Sequence, residues 1–233
     1  LYTYVNERTV ATKERVKMKI QYLGHSSFRL ISQMGNSVVT DPYSGKLTGY
    51  DMPFVNCDIV TVSHHHDDHD YIEGVGGQPA VLDTECEGTA DDICIKSYPT
   101  FHDDVKGAKR GKNLVFTFLI DGIKIAHLGD IGFFDIGIAE KVQGYDVLLV
   151  PVGGNYTIDA AGAKKYADAT KAKLVIPMHY AVEKGTIDIG GVDKFTSLFD
   201  AGQVFVLDSD TVETDNVLSE EGQKVIVLQQ YED

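Results

Sequence analysis

The chain is short of cysteine, short of positive charge and without a long apolar run, and each shortage removes a class of protein. Its three cysteines, Cys57, Cys86 and Cys94, form no even set and no CxxC pair. That excludes the disulfide framework of small secreted proteins and predicts reduced, buried thiols. No stretch reaches the roughly 18–20 consecutive apolar residues of a membrane-spanning helix, and no signal-peptide pattern is visible. A cytoplasmic protein with no membrane partner is expected. Lysine and arginine number 21 against 35 Asp and Glu, a formal net charge of −14. Two divalent cations would still leave it acidic. Such a charge disfavours a long polyanion, so no nucleic-acid partner is expected, although a local basic patch could hold a small phosphate. Also missing are Pro/Ser-rich linkers, low-complexity tracts and internal repeats. With 233 residues, 43% of them hydrophobic, the chain can build one large core. Residues 1–17, polar and without periodicity, read as an N-terminal extension, and 18–233 as one domain. A homo-oligomer is compatible with this reading.

What is present is concentrated at one point. Residues 64–70 carry four histidines and three aspartates, in the run Ser63-His64-His65-His66-Asp67-Asp68-His69-Asp70. The apolar run Asp58-Ile59-Val60-Thr61-Val62 before it reads as a buried strand. Imidazole and carboxylate together suit zinc, iron or manganese. In an extended segment residues two apart point the same way, so His64 and His66 can share one ion. Asp68 and His69 follow where the chain turns and can reach a second. A His-rich surface loop that meets metal only by accident is the plainer reading. Three further residues weigh against it: His102, Asp130 and His179 each stand just past the end of an expected strand. Gly129 before Asp130 permits a sharp turn and a close backbone approach.

Around these points the pattern predicts strands over 17–23, 28–32, 37–40, 58–62, 80–82, 93–98, 114–120 and 123–126. Later strands are expected over 147–150, 174–176, 204–207 and 225–228, with helices over 134–142, 159–169 and 192–199. Met34-Gly35-Asn36 and Asp121-Gly122 read as hairpin turns, and Asp159 as a helix cap. Hairpins dominate the first half and strand–helix alternation the second. An α+β protein with two mixed sheets packed together and helices outside fits this order; an all-parallel sheet does not.

The series His64-x-His66-x-Asp68-His69, then a His, a Gly-Asp and a late His, resembles the metallo-β-lactamase superfamily. The agreement in order and spacing covers residues 18–210. Leu23-Gly24-His25-Ser26-Ser27-Phe28, Arg110-Gly111-Lys112-Asn113, His127-Leu128-Gly129-Asp130, the stretch Pro151 to Ala160 and Ile176-Pro177-Met178-His179-Tyr180 are similar to a narrower branch. That branch comprises predicted metal-dependent hydrolases related to L-ascorbate-6-phosphate lactonases. The resemblance implies an αββα sandwich with metal at one edge of its sheets. It implies one ion held by His64, His66 and His102, a second by Asp68, His69 and His179, and Asp130 bridging them.

Two divalent ions, zinc before manganese or iron, would hold a hydroxide that attacks a small lactone, ester or phosphodiester, with Asp68 accepting its proton. No serine or cysteine nucleophile is expected. A metal-holding sensor or scaffold without turnover, and an RNA-processing nuclease of the same fold, are the alternatives. His25, Lys109, Arg110 and Tyr156 are candidate contacts for a small-molecule substrate. Lys109 and Arg110 lie in the only basic cluster, 106–112, which can equally be a solvated hairpin end. Asp41 and His127 are candidates for holding a ligand from behind, against the plainer readings of a turn residue and a core residue. His65 is a spacer.

Overall fold

The computed structural model describes residues 18–230, so the expected extension over 1–17 and Lys17 of the first expected strand lie outside the described residues. In chain order the strands of the first half are β1 (Lys19–Gly24), β2 (Ser27–Ile31) and β3 (Ser37–Thr40), then the single turn α1 (Gly45–Thr48). Next come β4 (Val55–Asn56), β5 (Ile59–Thr61), β6 (Val75–Gly76), β7 (Ala80–Leu82), β8 (Glu87–Ala90), β9 (Ile93–Phe101), β10 (Lys112–Ile120) and β11 (Ile123–His127). The second half runs α2 (Ile136–Lys141), β12 (Val147–Pro151), α3 (Ala160–Thr170), β13 (Leu174–Met178), α4 (Asp193–Thr196), β14 (Val204–Val206), β15 (Thr211–Glu213), α5 (Thr214–Leu218) and β16 (Lys224–Val227).

Two mixed sheets result. One has the order β15-β1-β2-β3-β5-β7, the other β14-β16-β13-β12-β11-β10-β9-β8, and β4 and β6 pair as a small ribbon. Strand alternation explains the facing. In β9, Ile93, Ile95 and Ser97 are buried while Cys94, Lys96 and Tyr98 are half-exposed. β12 and β13 are buried along their whole length, as central parallel strands are. The main core joins both sheets: Ile20, Phe28 and Leu30 from the first meet Ile95, Phe116, Ile125 and Leu149 from the second. A smaller cluster of Leu23, Val39, Val60 and Val62 packs with Val55 and Val75 of the β4–β6 ribbon.

The expected αββα layering of two mixed sheets stands, with shifts at the boundaries. Asp121 and Gly122 have φ of 53° and 83°, the two left-handed residues that a tight hairpin turn requires. Asp159 caps α3 by accepting from the Gly162 N–H. The helix expected over 192–199 shrinks to α4, whose N-terminus has no side-chain cap. β8 escapes a hydrophobic pattern because all four of its residues are exposed. The thiols are reduced, but only Cys57 is buried; Cys86 and Cys94 sit half-buried at the β8–β9 edge, where one sheet face meets solvent.

Strand direction gathers the site. β1, β3 and β5 run one way in the first sheet, since β1–β2 and β2–β3 are antiparallel and β3–β5 parallel. The same bookkeeping makes β9, β11, β12 and β13 run together in the second. His25, Asp41 and the 63–70 run follow the carboxyl ends of the first set. His102, Asp130 and His179 follow those of the second.

Candidate metal centre

The residues singled out as metal donors converge. Ligand atoms of His64, His66 and His102 lie within 4.8 Å of one another. So do those of His25, Asp68, His69 and His179, and those of His64, His69 and Asp130. Asp130 stands in the middle. Its Oδ2 is 3.2 Å from Nε2 of both His69 and His179, 3.4 Å from Nε2 of His102 and 3.9 Å from Nε2 of His64.

This donor set fits a cation. Nε2 of His64, Nε2 of His69 and Oδ1 of Asp130 are buried without a hydrogen-bond partner. Orphaned buried polar atoms cost about 1–3 kcal/mol each, and here they point at each other's neighbours rather than into apolar packing. Burial and the neighbouring His69 push His64 well below the ordinary imidazole range. Burial also lowers His102, against the pull of Asp130. His69 goes the other way. Burial lowers it, but Asp130, Asp41 and Asp68 outweigh that and hold it well above its usual value. Burial pushes the Asp130 carboxyl up, yet His179 and His69 hold it well below the usual carboxylate range. Positive charge at this point, from a proton or a metal ion, is what the surroundings favour.

Asp41 orients two of the imidazoles. It accepts the Ser63 N–H on Oδ1 and the Ser63 hydroxyl on Oδ2, both at 2.7 Å. His69 Nδ1 is 3.1 Å from the same Oδ2. A carboxylate only accepts, so His69 Nδ1 carries hydrogen and its Nε2 is turned inward. The Ser63 hydroxyl has given its hydrogen to Asp41, so at 2.9 Å it accepts from His64 Nδ1. Nε2 of His64 is thereby turned inward too. Burial raises the Asp41 carboxyl, but His69, His127 and His64 hold it lowered overall.

The 128–130 turn is fixed from β10. Asn113 Oδ1 accepts the Asp130 N–H and its Nδ2 donates to the Leu128 carbonyl, both at 2.9 Å. Gly129 has φ 55°, and a Cβ there would run into Asn113 Oδ1 and the Ser63 side chain. His127 lies behind this turn: its Nε2 is 2.8 Å from the Ser26 carbonyl, and its Nδ1 accepts the Gly129 N–H.

A cleft of about 740 Å³ opens above the donors and is bordered by His66, Asp68, His102, Asp130 and His179. Lys109, Arg110 and Tyr156 line its wall. The Arg110 guanidinium sits 5.3 Å from the Tyr156 ring centre and donates from Nη2 to the Asn155 carbonyl at 3.1 Å. His25 does not reach the cleft wall. It is 1% exposed, with Nε2 3.2 Å from Asp68 Oδ2. Burial and His179 push it down to about 4 despite Asp68. For Asp68, His25 and His69 outweigh burial and hold the carboxyl well below its usual range. His65 stays outside the donor groups, 3.2 Å from Asp70.

Ser63, Asn113 and Asp103 were not singled out from the sequence. Asp103 takes four backbone N–H groups, of Val105, Gly107, Lys109 and Arg110, at 2.7–2.9 Å, and so shapes the loop that carries the basic pair. The signal available was an aspartate beside a Gly-containing loop. Burial raises its carboxyl, but those four N–H groups bring it down to about 2 from 3.8. A depressed carboxylate stabilises the fold above the unfolded value and stops doing so as pH falls through the folded one. The loop should therefore loosen between about pH 4 and pH 2. Limited proteolysis across 104–110 in that interval is the measurement, and Asp103→Asn should be cleaved there at pH 7.

Residues 19–179 match the family model described as a beta-lactamase superfamily domain. A UPF0173 metal-dependent hydrolase of Archaeoglobus fulgidus is 31% identical over 197 residues, which cover 70% of this chain and 83% of the relative. One of Thermoplasma volcanium is 29% identical over 220 residues, covering 82% of this chain and 95% of the relative. Among crystal structures, one from Thermotoga maritima, assigned to the Zn-dependent hydrolases of the metallo-β-lactamase superfamily, superposes with a TM-score of 0.75. Its identity is 37%, with 91% of this chain and 98% of that chain covered.

Proposed function

The chain belongs to the metallo-β-lactamase superfamily and to its UPF0173 metal-dependent hydrolases, and from that premise we propose that it uses two divalent ions to hydrolyse a small anionic lactone, ester or phosphodiester. The observation that carries this reading is the ring of four imidazole nitrogens, 3.2–3.9 Å from Asp130 Oδ2, at the floor of an open cleft. His64, His66 and His102 would hold one ion, Asp68, His69 and His179 the other, and Asp130 would face both. Zinc suits this imidazole-rich set best, with manganese or iron as substitutes. The ions would supply an activated water and draw charge from the substrate's carbonyl or phosphoryl oxygen.

The chain's own residues do the rest. Asp68 belongs to the second donor group and also borders the cleft, so it is placed to accept the proton of the attacking water. Asp41 keeps His64 and His69 turned inward. Arg110, braced by Tyr156 and the Asn155 carbonyl, lines the cleft, where a carboxylate or phosphate could pair with its remaining N–H groups. The motif resemblance to L-ascorbate-6-phosphate lactonases favours a phosphorylated lactone within this range. A small-molecule partner and action away from membranes complete the reading.

Elemental analysis tests it, on protein purified without an affinity tag or added metal, beside His64→Ala. About two equivalents, reduced in the variant, are expected. A chain that holds no metal and takes none up on dialysis against zinc or manganese would overturn the two-ion reading and leave a scaffold role. Once a substrate is found among lactones and phosphodiesters, Arg110→Ala should raise KM for its anionic form by about 10–100-fold, the loss of a charged hydrogen bond. An unchanged KM would remove Arg110 from the binding site.

A further inference from the structure

The turn between β1 and β2 is built in a way that a plain hairpin does not require. Gly24 has φ 110°, and the strand register shifts between Tyr22 and Gly24. His25 then adopts φ 52°. A non-glycine residue held in this region costs on the order of 1–3 kcal/mol, and such strain gathers at functional sites. The surrounding structure holds it firmly. The His25 carbonyl accepts the Tyr22 hydroxyl at 3.0 Å and the His179 N–H at 2.9 Å. The backbone of the strained residue is thus tied to the backbone of a metal donor on the opposite sheet. Its ring centre lies 4.4 Å from that of His179 and 5.1 Å from that of His69.

We propose that His25 is an additional protein ligand of the second metal position, filling it together with Asp68, His69, His179 and the shared Asp130, so that the His64/His66/His102 position is the one open to substrate. The inference rests on the two-ion reading above and assigns unequal work to the two ions.

Three observations support it. The candidate ligand atoms of all four residues lie within 4.8 Å of one another, close enough to surround one ion. Around an ion with N and O ligands at about 2.0–2.2 Å, neighbouring ligand atoms stand roughly 3–3.5 Å apart. His25 Nε2 and Asp68 Oδ2 are 3.2 Å apart. Finally, donors crowd the second position: Asp68 and His179 border the cleft there, as His66 and His102 do at the first, and His25 and His69 add theirs from behind it, buried to 1% and 0% exposure. Zinc takes four ligands and can expand to five when substrate or water enters. With Asp130 facing both positions, the first has four protein donors and the second five, so only the first keeps room for a fifth ligand, the water or substrate.

The same 3.2 Å would also suit a simple hydrogen bond from His25 to Asp68, and the experiment separates the two. In a crystal structure of the unaltered chain loaded with zinc, His25 Nε2 should lie about 2.0–2.1 Å from the second ion. A nitrogen beyond about 3 Å, hydrogen-bonded to Asp68, would overturn the proposal. The His25→Gln variant gives an independent reading, because a glutamine amide can still donate to Asp68 but is a poor zinc ligand. Competition with a chelator should show the second equivalent weakened by more than about tenfold, with the first unchanged. Two equivalents of unaltered affinity in that variant would sink the assignment of His25 as a ligand and leave the two-ion reading intact. Fewer than two equivalents in the unaltered chain would sink both.

Discussion

Asp130→Ala is expected to strip the protein of most of its metal and to lower hydrolysis by more than about 100-fold. Loss of a group that merely orients a ligand already costs about 10–100-fold in affinity or activity, and Asp130 stands closer than that. Its Oδ2 faces four imidazole nitrogens on both sheets, and the residue is buried at the floor of the cleft. Without it the two donor groups share no anion, and their positive charges would face each other without that screen. Metal analysis by mass spectrometry gives the answer directly. Content equal to that of the unaltered chain would refute the bridging role, whatever the activity.

Asp41→Ala should be the most damaging substitution that touches no cleft residue. One carboxylate accepts from Ser63 twice and faces His69 Nδ1, and through the Ser63 hydroxyl it also fixes His64. Removing it leaves a buried N–H and a buried imidazole hydrogen without acceptors. Breaking such a buried pair typically costs about 3–5 kcal/mol, which for a chain of this size corresponds to a fall in Tm on the order of 10 °C. Metal affinity should drop as well, by about 10–100-fold, because both imidazoles become free to turn. Calorimetry with and without zinc measures both effects. A variant that melts within a degree or two of the original would show that Ser63 and His69 are held by other means.

The gathering of the candidate donors was legible in the sequence because their chemistry is crowded and their positions regular. Four histidines in seven residues announce a site, and His102, Asp130 and His179 each follow a readable strand. The two-sheet architecture was legible for a similar reason: apolar runs and turn residues punctuate the chain at Asp121-Gly122 and Asp159. What escaped depends on contacts between distant segments. The pairing of His25 with Asp68 crosses 43 positions and requires a left-handed residue that no local pattern demands. Asn113 reads as one more polar residue of a hairpin until its two hydrogen bonds are seen to clamp the Asp130 turn. Ser63 looks like the first residue of a loop, yet it passes the orientation of Asp41 on to His64. The strands β4, β6, β8 and β15 have two to four residues each and carry too little periodicity to be read.

The division of the donors between the sheets has a consequence for assembly. The stretch between β7 and β8 separates one set of donors from the other. His25, Asp41, His64, His66, Asp68 and His69 precede it, and His102, Asp130 and His179 follow it. Neither sheet by itself carries the complete set. A cation cannot template the early stages of folding, because its coordination shell exists only once the two sheets have docked. Once there, it favours that docked state by mass action. An ion bound there would be a rivet between two half-proteins, set last and holding both.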